Sequence, residues 1–196
     1  VAKRSLRHLY SRQRRGGMGI FDLETPESEP PAILCMADQD QSLLLISNHG
    51  RAFRLPVNSI PESPLRSRGK SILGKIILAE GEHPALLLPV QAQGYLAVLS
   101  KTGMLRTLRH HIFGEYMKPG TALYDYKSFG EVASACWTPG ESDLFIASRS
   151  GKAIRFAEKL VPPQGCLGLR LSDGDQAVAV THVYADSKVL LVGVDG

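Results

Sequence analysis

The chain has 196 residues, 43% hydrophobic and 21% charged, a balance that excludes disorder throughout and fits one sizeable domain or two small ones. The net charge of +4 is mildly basic, compatible with a nucleic-acid partner without requiring one. No signal peptide and no apolar run near the length of a membrane span is present, and Cys35, Cys136 and Cys166 lack metal-ligand or disulfide spacing, so a soluble, cytoplasmic protein with free core thiols is expected.

In chain order, the first 19 residues hold Lys3, Arg4, Arg7, Arg12, Arg14 and Arg15 and no acid, whereas residues 20–49 hold six acids and no Lys or Arg. The positive charge is therefore local. Within it stands Gln13-Arg14-Arg15-Gly16-Gly17-Met18-Gly19. Glycine lets main chain take left-handed conformations and approach a ligand closely, and arginine offers a forked cation that matches phosphate oxygens. Arginines among glycines therefore suit phosphate contact. Next in the chain, Glu24–Pro31 reads as an acidic exposed loop.

From residue 43 onward the chain repeats. Leu43–Ile46, Tyr95–Leu99 and Leu144–Ala147 are apolar runs, each leading into a Ser-x-x-Gly turn that ends at Gly50, Gly103 and Gly151. A fourth copy begins at Val189–Val192 and ends at Gly196, so the turn glycines are spaced by 53, 48 and 45 residues. After each turn a short strand with basic residues is expected: Arg51–Arg54, Met104–Thr107 and Lys152–Arg155. A loop then reaches a glycine (Gly69, Gly120, Gly165), a third strand comes after it (Ile72-Leu73, Ala122–Tyr124, Leu167–Leu171), and a fourth apolar run closes the unit (Leu86–Leu88, Val132–Ala135, Ala177–Val180). Short runs bounded by Gly, Pro, Ser and Asp predict strands, and no segment sustains helical periodicity. Four short strands per period of 40–50 residues predict an all-β array of radially arranged blades, each stacked on its neighbours because one sheet cannot bury both its faces.

Gly17 precedes Gly69 by 52 residues, and Gly69 precedes Gly120 by 51, so the Arg/Gly stretch is the same loop in a first, incomplete repeat. The segment Val1–Leu6 resembles the strand after a Ser-x-x-Gly turn, and the last copy supplies such a turn. One repeat domain, 1–196, is expected, with repeats at 1–36 (partial, completed by 189–196), 37–90, 91–138 and 139–188. Four blades result, the termini lying side by side in one molecule or by exchange between two.

Gln13, Arg14, Arg15, Gly16, Gly17 and Gly19, together with these repeats, resemble the C-terminal DNA-wrapping domain of the A subunit of bacterial DNA gyrase. That family's motif is Gln-(Arg/Lys)-Arg-Gly-Gly-(Arg/Lys)-Gly, and Met18 stands where it has a cation. The resemblance implies a β-pinwheel, a propeller-like disc whose blades exchange a strand with their neighbours and whose basic rim bends duplex DNA without reading its sequence. The family usually has five or six blades. It also implies that the chain alone is no enzyme. Its partners, the ATPase subunit plus the catalytic core of the gyrase A polypeptide, carry the chemistry of negative supercoiling. ATP and magnesium act there, and no cofactor is expected here.

Bending about 35 bp through half a turn costs on the order of 12 kcal/mol for an elastic rod. About a dozen phosphate contacts would offset this, each contributing a salt slope of about −0.9. Candidate contacts are Arg12, Gln13, Arg14, Arg15, Gly16, Gly17 and Gly19 in the first loop, then Arg51, Arg54, Arg66, Arg68 and Lys70. Lys101, Arg106, Arg109, Lys118, Lys152, Arg155 and Arg170 continue round the rim. Arg51 and Arg54 are alternatively placed to pair with the acidic stretch. The related domain of topoisomerase IV is one alternative identity, and a propeller serving as a protein-interaction platform is another. His110-His111 lacks a third metal ligand, and no catalytic triad or paired carboxylates are found.

Overall fold

A computed structural model describes residues 1–4, 15–16, 31–72, 74 and 76–193. Eleven strands occur among the described residues: β1 (Ser42–Ser47), β2 (Arg51–Pro56), β3 (Pro84–Pro89), β4 (Tyr95–Ser100), β5 (Met104–Arg109), β6 (Thr121–Ala122), β7 (Val132–Thr138), β8 (Asp143–Ser148), β9 (Ala153–Ala157), β10 (Cys166–Leu167) and β11 (Ala177–Val183). One four-residue helix, α1 (Tyr126–Phe129), and short 3-10 turns after β2, β5 and β9 are the helical pieces among them. The fold is all-β, with three antiparallel sheets ordered β3-β1-β2-β6, β10-β5-β4-β7 and β11-β8-β9.

The Ser-x-x-Gly turns form for a local reason. In each, the serine carbonyl accepts from the glycine N–H, at 2.9 Å for Ser47 and Gly50, 3.0 Å for Ser100 and Gly103, and 3.1 Å for Ser148 and Gly151. The serine Oγ then accepts the next residue's N–H, at 3.2 Å from Arg51, 3.1 Å from Met104 and 3.2 Å from Lys152. All three glycines are left-handed, with φ of 71°, 86° and 83°, a region that a Cβ disfavours.

Side chains along a strand alternate between faces, so β1 and β4, within the first two sheets, each serve two cores. Leu44 and Ile46 of β1 meet Leu96 and Val98 of β4, with Phe113, Leu123, Tyr124 and Trp137, between the first and second sheets. Ala97 and Leu99, the intervening residues of β4, meet Leu144 and Ile146 of β8 between the second and third. Leu43 and Leu45 turn the other way, to Phe53, Leu55, Val57, Ile60 and Ile76. Trp137 joins two blades. Its ring stands edge-on to Phe113 at 5.5 Å, and its Nε1 donates to the Pro89 carbonyl at the end of β3 (2.8 Å).

Two strands lie in a different sheet from the rest of their repeat. β6 comes after β5 in the chain yet pairs with β2, Arg51 opposite Ala122 and Ala52 opposite Thr121. β10 comes after β9 yet pairs with β5, Leu105 opposite Cys166. These are exchanged strands. The same exchange begins at the chain's start, where Val1 N donates to the Lys70 carbonyl (2.7 Å) and Lys70 N to the Val1 carbonyl (2.8 Å). Exchange is reciprocated by the closing strands: Val132 N donates to Asn48 O (2.9 Å) and Ala177 N to Lys101 O (3.0 Å), each bonding the turn of the preceding blade.

The third strands are shorter than their apolar runs suggested, two residues each for β6 and β10, and Ile72 is not in a strand. After two residues each chain leaves its neighbour's sheet to enter the core. Residues 189–193 are exposed and form no strand, because no ladder partner meets them among the described residues. Most of the expected fourth blade, residues 5–14, 17–30 and 194–196, lies outside the described residues. Cys35, Cys136 and Cys166 are free thiols, and burial pushes Cys136 up to about 12.

Candidate nucleic-acid interface

The loops that lead into the exchanged strands are equivalent in the three repeats whose loops are described. Each leaves a 3-10 turn and ends at a left-handed glycine, with φ of 74° at Gly69, 77° at Gly120 and 91° at Gly165. Each glycine lies against the neighbouring blade. A Cβ would stand 2.3 Å from the Val1 carbonyl at Gly69, 2.2 Å from Arg51 Nη2 at Gly120, and 2.8 Å from the Leu105 carbonyl at Gly165. The loops are thereby pinned at their ends.

Of the Arg/Gly motif, Arg15 and Gly16 are described: both are exposed in a turn, Gly16 with φ of 84°. Arg12, Gln13, Arg14, Gly17 and Gly19 lie outside the described residues. In the next loop Arg66, Arg68 and Lys70 are exposed within five residues, and none has an ion-pair or hydrogen-bond partner among the described residues for its side chain. Arg66 has φ of 62°, the only left-handed non-glycine residue among those described. Arg109, Lys118 and Arg170 are also exposed and unpartnered among the described residues.

Other candidates have internal partners. Arg51 donates from Nη1 to Glu82 at 2.6 Å and from Nε to the Gly120 carbonyl at 3.3 Å, and its guanidinium lies 5.2 Å from the Phe53 ring. Arg106 donates to the Pro163 carbonyl (3.0 Å) and the Leu123 carbonyl (2.9 Å). Both arginines thus brace the loop arriving from the next repeat. Lys101 pairs with Glu131 (2.6 Å), Arg155 with Asp143 (2.8 Å), and Lys152 donates to the Ser172 hydroxyl. These side chains retain accessible surface, 32% for Arg51 and 42–43% for Arg155 and Lys101. Arg54 is half-buried with an unpartnered Nε, in a cleft of about 270 Å³ that it shares with Asp40, His110, His111 and Glu115. Arg51 pairs instead with Glu82, because β3 returns antiparallel beside β1 in the same sheet and brings the residues before it against the turn Ser47–Gly50.

Glu82 belongs to a set that the repeat pattern did not single out. An acid precedes the closing strand of each of the three described sheets and holds the turn: Glu82, Glu131 and Asp175. Glu82 is buried and accepts from Ser47 Oγ (2.5 Å), Ala79 N (2.7 Å) and Arg51. Desolvation pushes its carboxyl up, but the bonds from Ala79, Ser47 and Arg51 outweigh that and hold it below the ordinary glutamate range. Asp175 is half-exposed and accepts from Ser150 Oγ (2.5 Å) and Ser150 N (3.0 Å), with the Ser150 hydroxyl foremost in bringing its carboxyl down to about 2. The signal in the sequence is an acid shortly before each fourth apolar run.

Among the described residues no three His, Cys, Asp or Glu gather to hold a metal, and no helix is long and apolar enough to cross a membrane. The site is a set of exposed cations on loops that the blades hold rigidly, which is suited to a polyanion with a regular charge spacing.

A family model described as DNA gyrase C-terminal domain, beta-propeller, matches residues 41–76 and 142–183. The A subunit of DNA gyrase from Staphylococcus epidermidis is 26% identical over 198 residues, covering 95% of this chain and 22% of that protein. The A subunit of DNA gyrase from Escherichia coli is 26% identical over 197 residues, with the same coverage. The chain thus spans about a fifth of the length of these relatives. Among solved structures, a DNA gyrase A C-terminal domain superposes with a TM-score of 0.62 at 23% identity, over 76% of this chain and 52% of the other. The C-terminal domain of DNA topoisomerase IV superposes with a TM-score of 0.62 at 24% identity, over 75% and 48%. These two show the fold, and the exchange of β6 and β10 is the pinwheel arrangement expected of it. In sequence the chain is similar to the A subunit of DNA gyrase, and in fold to that subunit's C-terminal domain.

Proposed function

We propose that the chain binds duplex DNA without regard to sequence and bends it along the line of its loops, as the C-terminal domain of DNA gyrase A. The observation that carries this reading is the row of equivalent loops, pinned by left-handed glycines to the neighbouring blade, with Arg66, Arg68 and Lys70 exposed and unpartnered among the described residues on the most basic of them. Phosphate contacts of this kind release counterions and need no base readout, and their free energy offsets bending. The Gln13–Gly19 stretch favours gyrase over topoisomerase IV. In this reading the chain is one repeat domain of a type II topoisomerase in the bacterial cytoplasm. Its partners are the ATPase subunit plus the catalytic core of its own polypeptide, where ATP and magnesium act. It contributes DNA geometry to negative supercoiling and no catalytic residue.

Titrating the 196-residue chain with duplexes of about 40 bp and unrelated sequence checks this. Equal affinities are expected, with a steep linear fall of log K against log salt, and end-labelled duplexes should show energy transfer rising on binding. A platform for protein partners would show neither. Replacing residues 13–19 with alanines should preserve binding and reduce the energy-transfer change.

A further inference from the structure

The equivalent loops are far from equivalent in charge. Between Ile60 and Lys70 the first complete repeat carries Arg66, Arg68 and Lys70 against one acid, Glu62. Between Gly114 and Gly120 the second carries one cation, Lys118, against one acid, Glu115. Between Val161 and Gly165 the third reads Val-Pro-Pro-Gln-Gly, with no charge at all. The two arginines that approach these later loops, Arg51 and Arg106, are spent on the Gly120 and Pro163 carbonyls. Along the direction of the chain, the number of cations on these loops therefore falls from three to none.

The charged loop also holds the one left-handed non-glycine residue among those described, Arg66. Its side chain is exposed and reaches no partner among the described residues, so nothing there requires an arginine for folding. A backbone conformation that glycine would take without strain is occupied by the residue with the most effective phosphate-binding side chain.

From these two observations we propose that DNA is gripped unevenly: the loop Arg66–Lys70 is the main described anchor, and the duplex is released toward the third blade, whose loop makes no phosphate contact. The inference rests on the proposed DNA binding and sharpens it. The chain bends its duplex through a shorter arc than a disc with cations on every loop would impose.

Three variants of the 196-residue chain test this, with circular dichroism confirming the fold of each. Replacing Arg66, Arg68 and Lys70 together with alanine should lower the slope of log K against log salt by about 2.7 and weaken binding at about 0.1 M salt on the order of 10²-fold. Replacing Arg109, Lys118 and Arg170 together should change the slope by less than half as much. Arg66→Gly should weaken DNA binding several-fold while its thermal midpoint stays level or rises, an outcome that a purely structural role for Arg66 would not produce. Equal losses from the two triple variants, or an Arg66→Gly variant that binds normally, would overturn the uneven grip while leaving DNA binding in place. Absence of salt-dependent binding by the unaltered chain would overturn both.

Discussion

The turn Ser100–Gly103 in the second blade and the turn Ser148–Gly151 in the third have the same sequence pattern, the same internal hydrogen bonds and nearly the same glycine geometry. Their surroundings differ. The next blade's chain lies over the first of them: Gly168 N and Leu169 N both donate to the Gly103 carbonyl, at 2.9 and 3.2 Å, and a Cβ on Gly103 would stand 2.2 Å from the Leu169 carbonyl. A Cβ on Gly151 would meet nothing within 4 Å among the described residues. A local pattern thus builds the same turn twice, and a neighbour decides how much of the fold depends on it. The acids that latch the turns of the first and third blades, Ser47–Gly50 and Ser148–Gly151, divide in the same way. Glu82 is enclosed with Arg51, whereas Asp175 holds Ser150 at the surface.

The strongest break of this comparison is Gly103→Ala. Left-handed strain and a backbone collision act together, so a loss of about 3 kcal/mol is expected by equilibrium denaturation. Next comes Glu82→Gln, at about 2 kcal/mol; this is below the range for fully buried pairs because Arg51 keeps a third of its surface in water. Gly151→Ala should cost about 1 kcal/mol, the strain of the left-handed region without the collision. If the two glycine variants proved equally destabilised, the neighbouring chain would have no bearing on the turn.

The two acids separate further with pH. Glu82 is depressed in the folded state, so its contribution is complete above the ordinary glutamate pKa and is lost as pH falls through the lower folded value. Acid titration of stability should therefore be shallower for Glu82→Gln than for the parent. Asp175 acts in the same direction, with its loss falling between the ordinary aspartate value and about 2. Being open to solvent on one side and screened by it, Asp175 should give the smallest effect of the set, and Asp175→Asn should be close to the parent in midpoint above about pH 5. An Asp175→Asn variant as unstable as Glu82→Gln would show that burial is not what separates the latches.

Much of the blade is legible in the residues themselves. The runs at residues 43, 95 and 144 and the Ser-x-x-Gly turns lie in β1, β4 and β8 and the turns after them, because alternation and turn chemistry are local properties. The exchanged strands are visible only as apolar runs, and their partners came from the family resemblance, since two residues of ladder leave no period. The latching acids stay hidden because a lone Glu before a strand reads as surface charge until its partners are known. The candidate cations were found by composition, which does not distinguish Arg68, exposed and unpartnered among the described residues, from Arg51, bound to Glu82 and the Gly120 carbonyl.

From its sequence alone this chain is a repeating all-β array with loops ending in glycine and a positive charge concentrated at its start. Those properties depend on neighbouring residues, so spacing and composition reveal them. The tertiary structure decided which blade receives each short strand, which acid is enclosed and which cations are left facing water. These outcomes depend on contacts between residues 31 to 69 positions apart, whose energies come from burial and steric fit, and neither is a property of any single segment.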